Sequence, residues 1–192
     1  MSSALPPTSP STTVLIVANR QRSCRINLRR FRQAVAFLLH RLLQAAQFDL
    51  GFYFVTTPEM ARLNETFLNH QGSTDVITFD YGPEPSSAAS PAQTAAPPPC
   101  PALHGEIFIC AEEALRQARR FRTTWQSELV RYAVHGVLHL AGYDDRTAGV
   151  RRRMKKLEGS LLRKLAGQFR FDRLGAIGIA RPTQRRRRLP RA

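Results

Sequence analysis

Cysteine is scarce in this sequence, and long apolar runs are absent from it. The three cysteines, Cys24, Cys100 and Cys110, are an odd number with no CxxC spacing, which argues against a disulfide framework and against a cysteine-ligated zinc site. Their scarcity fits a reducing cytosol. No apolar run approaches the roughly 20 residues of a membrane-spanning helix, and the run from Val14 to Ala18 is too short for a secretory signal. We therefore expect a cytoplasmic protein without a membrane partner.

Acidic residues are also few, since 14 Asp and Glu stand against 29 Lys and Arg, for a formal net charge of +15. Such an excess favours a polyanionic partner, and nucleic acid is the first candidate. Two groups carry much of it: the run Arg151, Arg152, Arg153, Lys155 and Lys156, and the arginines from Arg181 to Arg191. For the first group we consider both a solvated helix face and contacts to RNA phosphates.

A chain of 192 residues is short enough for one domain with tails. Residues 1–12 are rich in Ser, Pro and Thr and are expected to form a disordered tail, and residues 167–192 a basic C-terminal tail. The segment Gly82–Leu103 holds seven of the thirteen prolines among many alanines, which predicts a loop. A single domain is therefore predicted over residues 13–166, interrupted by a loop at 82–103.

Hydrophobic periodicity predicts strands and helices in mixed order. The predicted strands are Val14–Val17, Phe48–Val55, Thr74–Tyr81 and Glu106–Cys110, and the predicted helices are Leu28–Gln47, Thr57–Leu68 with Thr57 as its N-cap, Glu112–Arg122, Gln126–Leu140 and Ala148–Leu165. Regular βαβ repetition is missing, so we predict an α+β fold with a small mixed sheet of about four strands packed against helices. The aromatic residues Phe121, Trp125 and Tyr132 could stack on bases, but in helices they are better explained as packing residues.

Two histidines in the fourth predicted helix form a candidate metal site. His135 and His139 are four residues apart, so both imidazoles project from one helix face and can share a metal ion. Gly142 permits a sharp turn that brings Asp144 or Asp145 back as a third ligand, leaving a fourth position for water. Such an open position indicates catalysis of hydrolysis.

The simpler interpretation is that both histidines are ordinary core or surface residues, which is the commoner meaning of this spacing. Against it, Val134, Val137 and Leu138 already supply the helix with apolar contacts, and buried imidazoles need polar partners. The neighbouring acidic pair favours a metal. Gly136 occupies the position where the peptidase motif HExxH has its general base, so a zinc peptidase of that type is not expected.

The segment from His135 to Asp145, HGVLHLAGYDD, resembles the HGxLHLxGYDH signature of the YbeY family of bacterial endoribonucleases. Four other segments agree in order: Leu63–Asn64, Thr74–Phe79 with the sequence TDVITF, Gly105–Ile107, and Met154 with Glu158. The resemblance covers residues from about 50 to about 165.

The resemblance implies a single-strand-specific, metal-dependent endoribonuclease that matures the 3′ end of 16S ribosomal RNA and acts in ribosome quality control. It implies a cytoplasmic location, with ribosomal RNA and the small ribosomal subunit as partners. One Zn²⁺ per chain would be held by His135, His139 and Asp145, where Asp145 stands in place of the family's third histidine. Leu68 stands where the family usually has an arginine. No side chain is assigned as the general base, and water on the metal is the expected nucleophile.

Two other functions stay open at this point. The first is a non-catalytic ribosome-assembly factor that keeps zinc for structure, which the departures at Leu68 and Asp145 favour. The second is a metal-dependent hydrolase of a non-RNA substrate such as an amide, against which Gly136 and the basic surface count.

Overall fold

The computed structural model describes residues 13–82 and 102–176. The predicted N-terminal tail, most of the predicted proline-rich loop and the C-terminal arginines lie outside these ranges. The strands are β1 Thr13–Asn19, β2 Arg25–Ile26, β3 Phe48–Val55, β4 Val76–Asp80, β5 Leu103–Cys110 and β6 Gly175–Ala176. The helices are α1 Leu28–Phe37, α2 Thr57–Leu68, α3 Ala111–Phe121, α4 Trp125–Leu140 and α5 Ala148–Gln168, with a π-helical turn Leu38–Leu42 after α1 and a 3₁₀ turn Phe171–Leu174 after α5.

Four strands form a mixed sheet in the order β1-β3-β5-β4. The strands β1, β3 and β5 run parallel, and β4 pairs antiparallel with β5. The central strand β3 is buried on both faces except at Asp49 and, in part, at Tyr53, which explains why its sequence FDLGFYFV is mostly apolar. Together with the helices, this sheet confirms the predicted α+β fold and its four-stranded mixed sheet.

The two faces of the sheet pack against different helices. Side chains such as Phe52, Phe54 and Ile107 belong to a large core shared with α1, α4 and α5. The alternate side chains, including Val55 and Phe108, form a smaller cluster with Met60 of α2. The helix α4 therefore lies between the sheet and the other large helices, and its side chains are held from two directions.

Two element boundaries differ from the predictions. The first predicted helix ends early, because Leu43 donates to the carbonyl of Leu38 in a π-helical turn and Gln44 adopts a left-handed φ of 53°. The N-cap of α2 is Thr56, whose hydroxyl accepts from the amide of Glu59, and the predicted cap Thr57 is the first helical residue. The end of the first helix has no Gly or Pro to mark it, and Pro58 near the start of α2 fits a cap at Thr56 as well as one at Thr57.

The structured body continues past residue 166, the predicted end of the domain. The helix α5 extends to Gln168, Leu174 is 1% exposed, and β6 pairs with β2. Strands of two residues are too short for any alternating pattern to predict. Residues 167–176 thus tie the end of α5 to the segment before α1.

Among residues 13–82 and 102–176, no helix has both the length and the apolar character needed to cross a membrane.

Candidate metal centre

Close packing on the sheet fixes the position of α4. A Cβ atom at Gly136 would lie 2.8 Å from the Ile107 Cγ2 of β5 and 3.0 Å from the Thr78 Oγ1 of β4. Both distances are shorter than ordinary van der Waals contacts, so only glycine allows this approach. A glutamate here, as an HExxH peptidase requires, would not fit this packing.

The turn after α4 reverses the chain as predicted. Gly142 has a φ of +84°, and its amide donates to the carbonyl of His139 at 2.9 Å while the amide of Tyr143 donates to Leu138 at 3.0 Å. These two bonds form a Schellman motif, in which a left-handed glycine follows the helix. The turn brings the following acidic residues back toward the helix end.

The structure gathers the three predicted ligands into one cluster. The Nε2 atoms of His135 and His139 are 3.0 Å apart, and one ligand atom from each of His135, His139 and Asp145 lies within 4.8 Å of the others. All three side chains are half-buried. This cluster could hold a metal ion.

Hydrogen bonds on the far side of each ring set the tautomers. His135 Nδ1 lies 3.1 Å from Glu158 Oε2, and His139 Nδ1 lies 3.1 Å from the carbonyl oxygen of Tyr143. An ionised carboxylate and a carbonyl only accept, so both Nδ1 atoms carry the proton and donate. Each neutral ring then directs the lone pair of its Nε2 at the other ring, the arrangement of metal-binding histidines with oriented outer partners.

The donor set fits a metal ion. Two facing lone pairs cannot hydrogen-bond to each other unless one ring is protonated, whereas a cation between them satisfies both. Two nitrogens bonded to one tetrahedral zinc at about 2.0–2.1 Å lie about 3.3 Å apart, close to the 3.0 Å between His135 Nε2 and His139 Nε2. Asp145 adds a carboxylate from the side of the turn.

The two imidazoles have opposite proton affinities. Burial lowers the pKa of His135, but the hydrogen bond and negative charge of Glu158 outweigh burial, so the pKa is raised. Burial lowers the pKa of His139, and the neighbouring His135 lowers it further. The pair therefore takes up its first proton at His135, and a metal ion must compete with that proton.

The adjacent residues Asp144 and Asp145 have different contacts. Asp144 Oδ1 accepts from the amides of Asp145 at 2.7 Å and Arg146 at 3.2 Å, so its carboxylate holds the turn. Asp145 is the aspartate that joins the histidine cluster. The alternative of Asp144 as third ligand is therefore not favoured by this geometry.

Glu158 and Arg131 complete the site from outside, and no spacing in the sequence predicts their contact with it. Glu158 is 7% exposed on α5, and Arg131 of α4 binds both Glu158 Oε1 at 2.9 Å and Glu128 Oε2 at 3.2 Å. Burial raises the pKa of Glu158, but hydrogen bonds from His135 and Arg131 outweigh burial and lower it. The carboxylate therefore stays ionised beside His135.

A cavity of about 610 Å³ adjoins the metal cluster at His135. Its walls come from α3, α4, α5, the loop between α3 and α4, and the residue before β4. The lining residues are Asp75, Gln117, Arg120, Phe121, Thr123, Glu128, Arg131, Tyr132, His135, Lys155 and Glu158. This volume is typical of a ligand-binding pocket.

The predicted basic run lies on the outer side of α5, where all five of its residues are exposed: Arg151, Arg152, Arg153, Lys155 and Lys156. Lys155 also lines the cavity, and Arg151 Nε donates to the carbonyl of Asp145 at 2.9 Å. Leu68, at the end of α2, is 46% exposed and is not among the cavity's lining residues in the described chain.

The three aromatic residues considered for base stacking differ in their exposure to solvent. Trp125 and Tyr132 are 6% and 4% exposed, as packing residues should be. Phe121 is 61% exposed at the end of α3, so the packing interpretation is wrong for this ring. The difference arises because Phe121 is the last residue of its helix and faces the cavity instead of the core.

The fold and cluster define an α+β protein with a two-histidine, one-aspartate centre beside a pocket. The family model described as "Endoribonuclease YbeY" matches residues 16–166. The chain belongs to this family.

Relatives of the same name agree with this assignment, and a solved structure shares the fold. The chain is 39% identical over 104 residues to "Endoribonuclease YbeY" of Chlorobium luteolum, covering 54% of this chain and 64% of that protein. It is 36% identical over 103 residues to the protein of the same name from Salinibacter ruber, covering 53% and 60%. The chain thus spans less than two thirds of the length of these relatives. The solution structure of TM1509 from Thermotoga maritima shares the fold, with a TM-score of 0.54 and 21% identity over 81% of this chain and 91% of that chain.

Proposed function

We propose that this protein is a zinc-dependent endoribonuclease that cleaves single-stranded segments of ribosomal RNA precursors, including the 3′ end of 16S ribosomal RNA. The observation that carries the proposal is the pair of imidazoles at 3.0 Å, with Asp145 within reach, beside an open cavity. The names of the relatives in this family support the RNA substrate. We place the reaction in the cytoplasm, on the small ribosomal subunit, where it would also serve ribosome quality control.

The proposed ligands are His135, His139 and Asp145. Nitrogen and oxygen donors with an open fourth position are typical of catalytic zinc sites. A bound zinc ion would supply a Lewis acid for a phosphate oxygen and lower the pKa of water. The same donor set also suits iron(II), so metal analysis of the purified protein distinguishes the two.

The chain's own contribution is orientation and charge. Glu158 and the Tyr143 carbonyl hold the two rings in the ligating tautomer. Lys155 and Arg120 place positive charge at the edge of the cavity, where it would attract the backbone phosphates of an RNA strand. These two cations come from α5 and α3, not from the position of Leu68 where the family usually has an arginine.

The experiment is cleavage of purified ribosomal RNA precursor with and without a chelator. Wild type is expected to cut only with metal, and His139→Ala is expected to be inactive. His40→Ala is the matched control, because His40 is exposed and packs against Phe48, outside the cluster. Cleavage by His139→Ala at the wild-type rate would refute the metal-dependent reaction.

A non-catalytic assembly factor is the second candidate, because Leu68 and Asp145 both depart from the family pattern. It predicts one equivalent of metal and binding to the small ribosomal subunit without cleavage of any precursor. An amide hydrolase of the HExxH type is disfavoured, because the contacts of Gly136 leave no room for its glutamate.

A further inference from the structure

The cavity beside His135 contains groups that the metal cluster does not use. Two residues that line the cavity, Tyr132 and Gln117, each have a buried polar atom, Tyr132 Oη and Gln117 Oε1, without a hydrogen-bond partner among the described residues. Gln117 Nε2 donates to Glu113 Oε1 at 2.9 Å, which fixes the amide so that Oε1 is its free atom. Buried polar groups are nearly always paired, so one donor and one acceptor here call for a partner in the cavity.

An exposed aromatic ring stands at the rim of the same cavity. Phe121 is 61% exposed, and the guanidinium of Arg120 lies 5.3 Å from its ring centroid. An exposed ring beside a cation is the usual platform for a stacked nucleobase. Lys155 adds a further positive charge on the wall formed by α5.

The charge of the inner wall shows which part of a nucleotide fits. Asp75, Glu128 and Glu158 all line the cavity, and Arg131 is already paired with both glutamates. This acidic wall repels a phosphate but tolerates an uncharged base. The exposed cations, Arg120 and Lys155, then suit the backbone phosphates outside.

We propose that the cavity is a subsite for one unpaired nucleobase of the RNA strand that crosses the metal cluster. The base stacks on Phe121, the Tyr132 hydroxyl donates to its Watson–Crick edge, and Gln117 Oε1 accepts from that edge. This inference rests on the proposed function, since it takes RNA as the substrate.

The subsite selects for single strands, not for one base. Each of the four bases presents a donor next to an acceptor on its Watson–Crick edge, so each can satisfy this pair of groups. In a duplex that edge is already paired, and the base cannot enter.

The test is binding of a short single-stranded oligoribonucleotide to the zinc-loaded protein, followed by fluorescence anisotropy on ice, with strand integrity checked on a gel. An abasic site is moved along the strand one position at a time. In wild type, one position is expected to lose roughly 5- to 150-fold in affinity, the effect of losing one stacked base. In Phe121→Ala the intact strand is expected to bind with an affinity lower by the same factor, and an abasic site at that position is expected to cause no further loss of affinity.

The matched control is Phe67→Ala. Phe67 is 59% exposed on α2, packs against Phe79, and does not line the cavity. This variant is expected to keep the full abasic effect. Tyr132→Phe distinguishes contact with the base from a role in stability. It is expected to weaken binding roughly 2- to 10-fold without lowering the melting temperature, because the hydroxyl has no partner to lose in residues 13–82 and 102–176.

Each outcome has a distinct meaning. An abasic effect that is equal in wild type and Phe121→Ala, or no position-dependent effect in a wild type that still binds and cleaves RNA, overturns the subsite. A lower melting temperature of Tyr132→Phe with unchanged RNA affinity also overturns it, since ordered water then fills the cavity. A wild type that neither binds nor cleaves any RNA overturns the proposed function itself.

Discussion

Removing the carboxylate of Asp145 tests the third ligand of the metal cluster. Asp145→Ala leaves two imidazoles, whose orientation by Glu158 and the Tyr143 carbonyl does not depend on Asp145. Zinc held by four protein ligands binds with about 10–16 kcal/mol, so an equal share is about 2.5–4 kcal/mol per ligand. We therefore expect Asp145→Ala to weaken zinc binding roughly 10²- to 10³-fold.

Asp144→Ala is the matched control, because it removes the same group one residue earlier. Asp144 accepts from two turn amides and is not part of the ligand cluster. This variant is expected to lose about 1 kcal/mol of unfolding free energy while it keeps zinc within about threefold of wild type. Asp145→His should retain zinc, since an imidazole can ligate from the same turn.

The assay is competition for zinc against a chromophoric chelator, with unfolding followed separately in metal-free protein. Zinc retained by Asp145→Ala and lost by Asp144→Ala would show that the third ligand is off by one residue. Equal retention by both variants would show that neither aspartate binds, and that the two histidines need a ligand from elsewhere.

Two further predictions concern the surroundings of the histidines. Glu158→Gln is expected to weaken zinc binding about 10- to 100-fold, and to lower the pKa of His135 in metal-free protein because the charge of Glu158 raises that pKa. NMR titration of His135 checks the second effect. The control Glu59→Gln removes an exposed ion pair with Arg20 and should change neither zinc affinity nor this pKa. Gly136→Ala should be less stable to urea unfolding than Gly159→Ala by about 1–3 kcal/mol. Both variants gain the same helix propensity, but only the new Cβ at position 136 would clash with neighbouring atoms. Equal stability of the two variants would refute the close packing at Gly136.

The metal helix and its turn were predictable because their signals are local. A four-residue spacing places His135 and His139 on one helix face whatever the helix packs against. Gly142 at the helix end predicts a left-handed cap by its lack of a Cβ atom alone. The choice between Asp144 and Asp145, by contrast, depends on which carboxylate the turn uses for its own amides, and residue types alone leave that open.

The surroundings of the site were not predictable because they depend on how distant helices meet. Glu158 is 23 residues from His135 along the chain, and only the packing of α4 against α5 brings them together. Phe121 is expected to be a packing residue because it lies in a predicted helix, but its place as the last helical residue turns it outward. Hydrophobic periodicity predicts that a helix has a buried face, but it does not predict what the residues at the ends of the helix contact.

The site is held together from three separate parts of the chain. Gly136 seats α4 on the sheet, the turn at Gly142 supplies the carbonyl that orients His139, and α5 supplies the carboxylate that orients His135. Gly136 fixes the distance of α4 from the sheet, the Tyr143 carbonyl fixes the orientation of the His139 ring, and Glu158 fixes the orientation of the His135 ring. Since Glu158 lies outside the segment from 135 to 145, the signature is necessary for the metal centre but is not sufficient to build it. The end of α3 and the first half of α5 must also meet α4, and the cavity forms where they do.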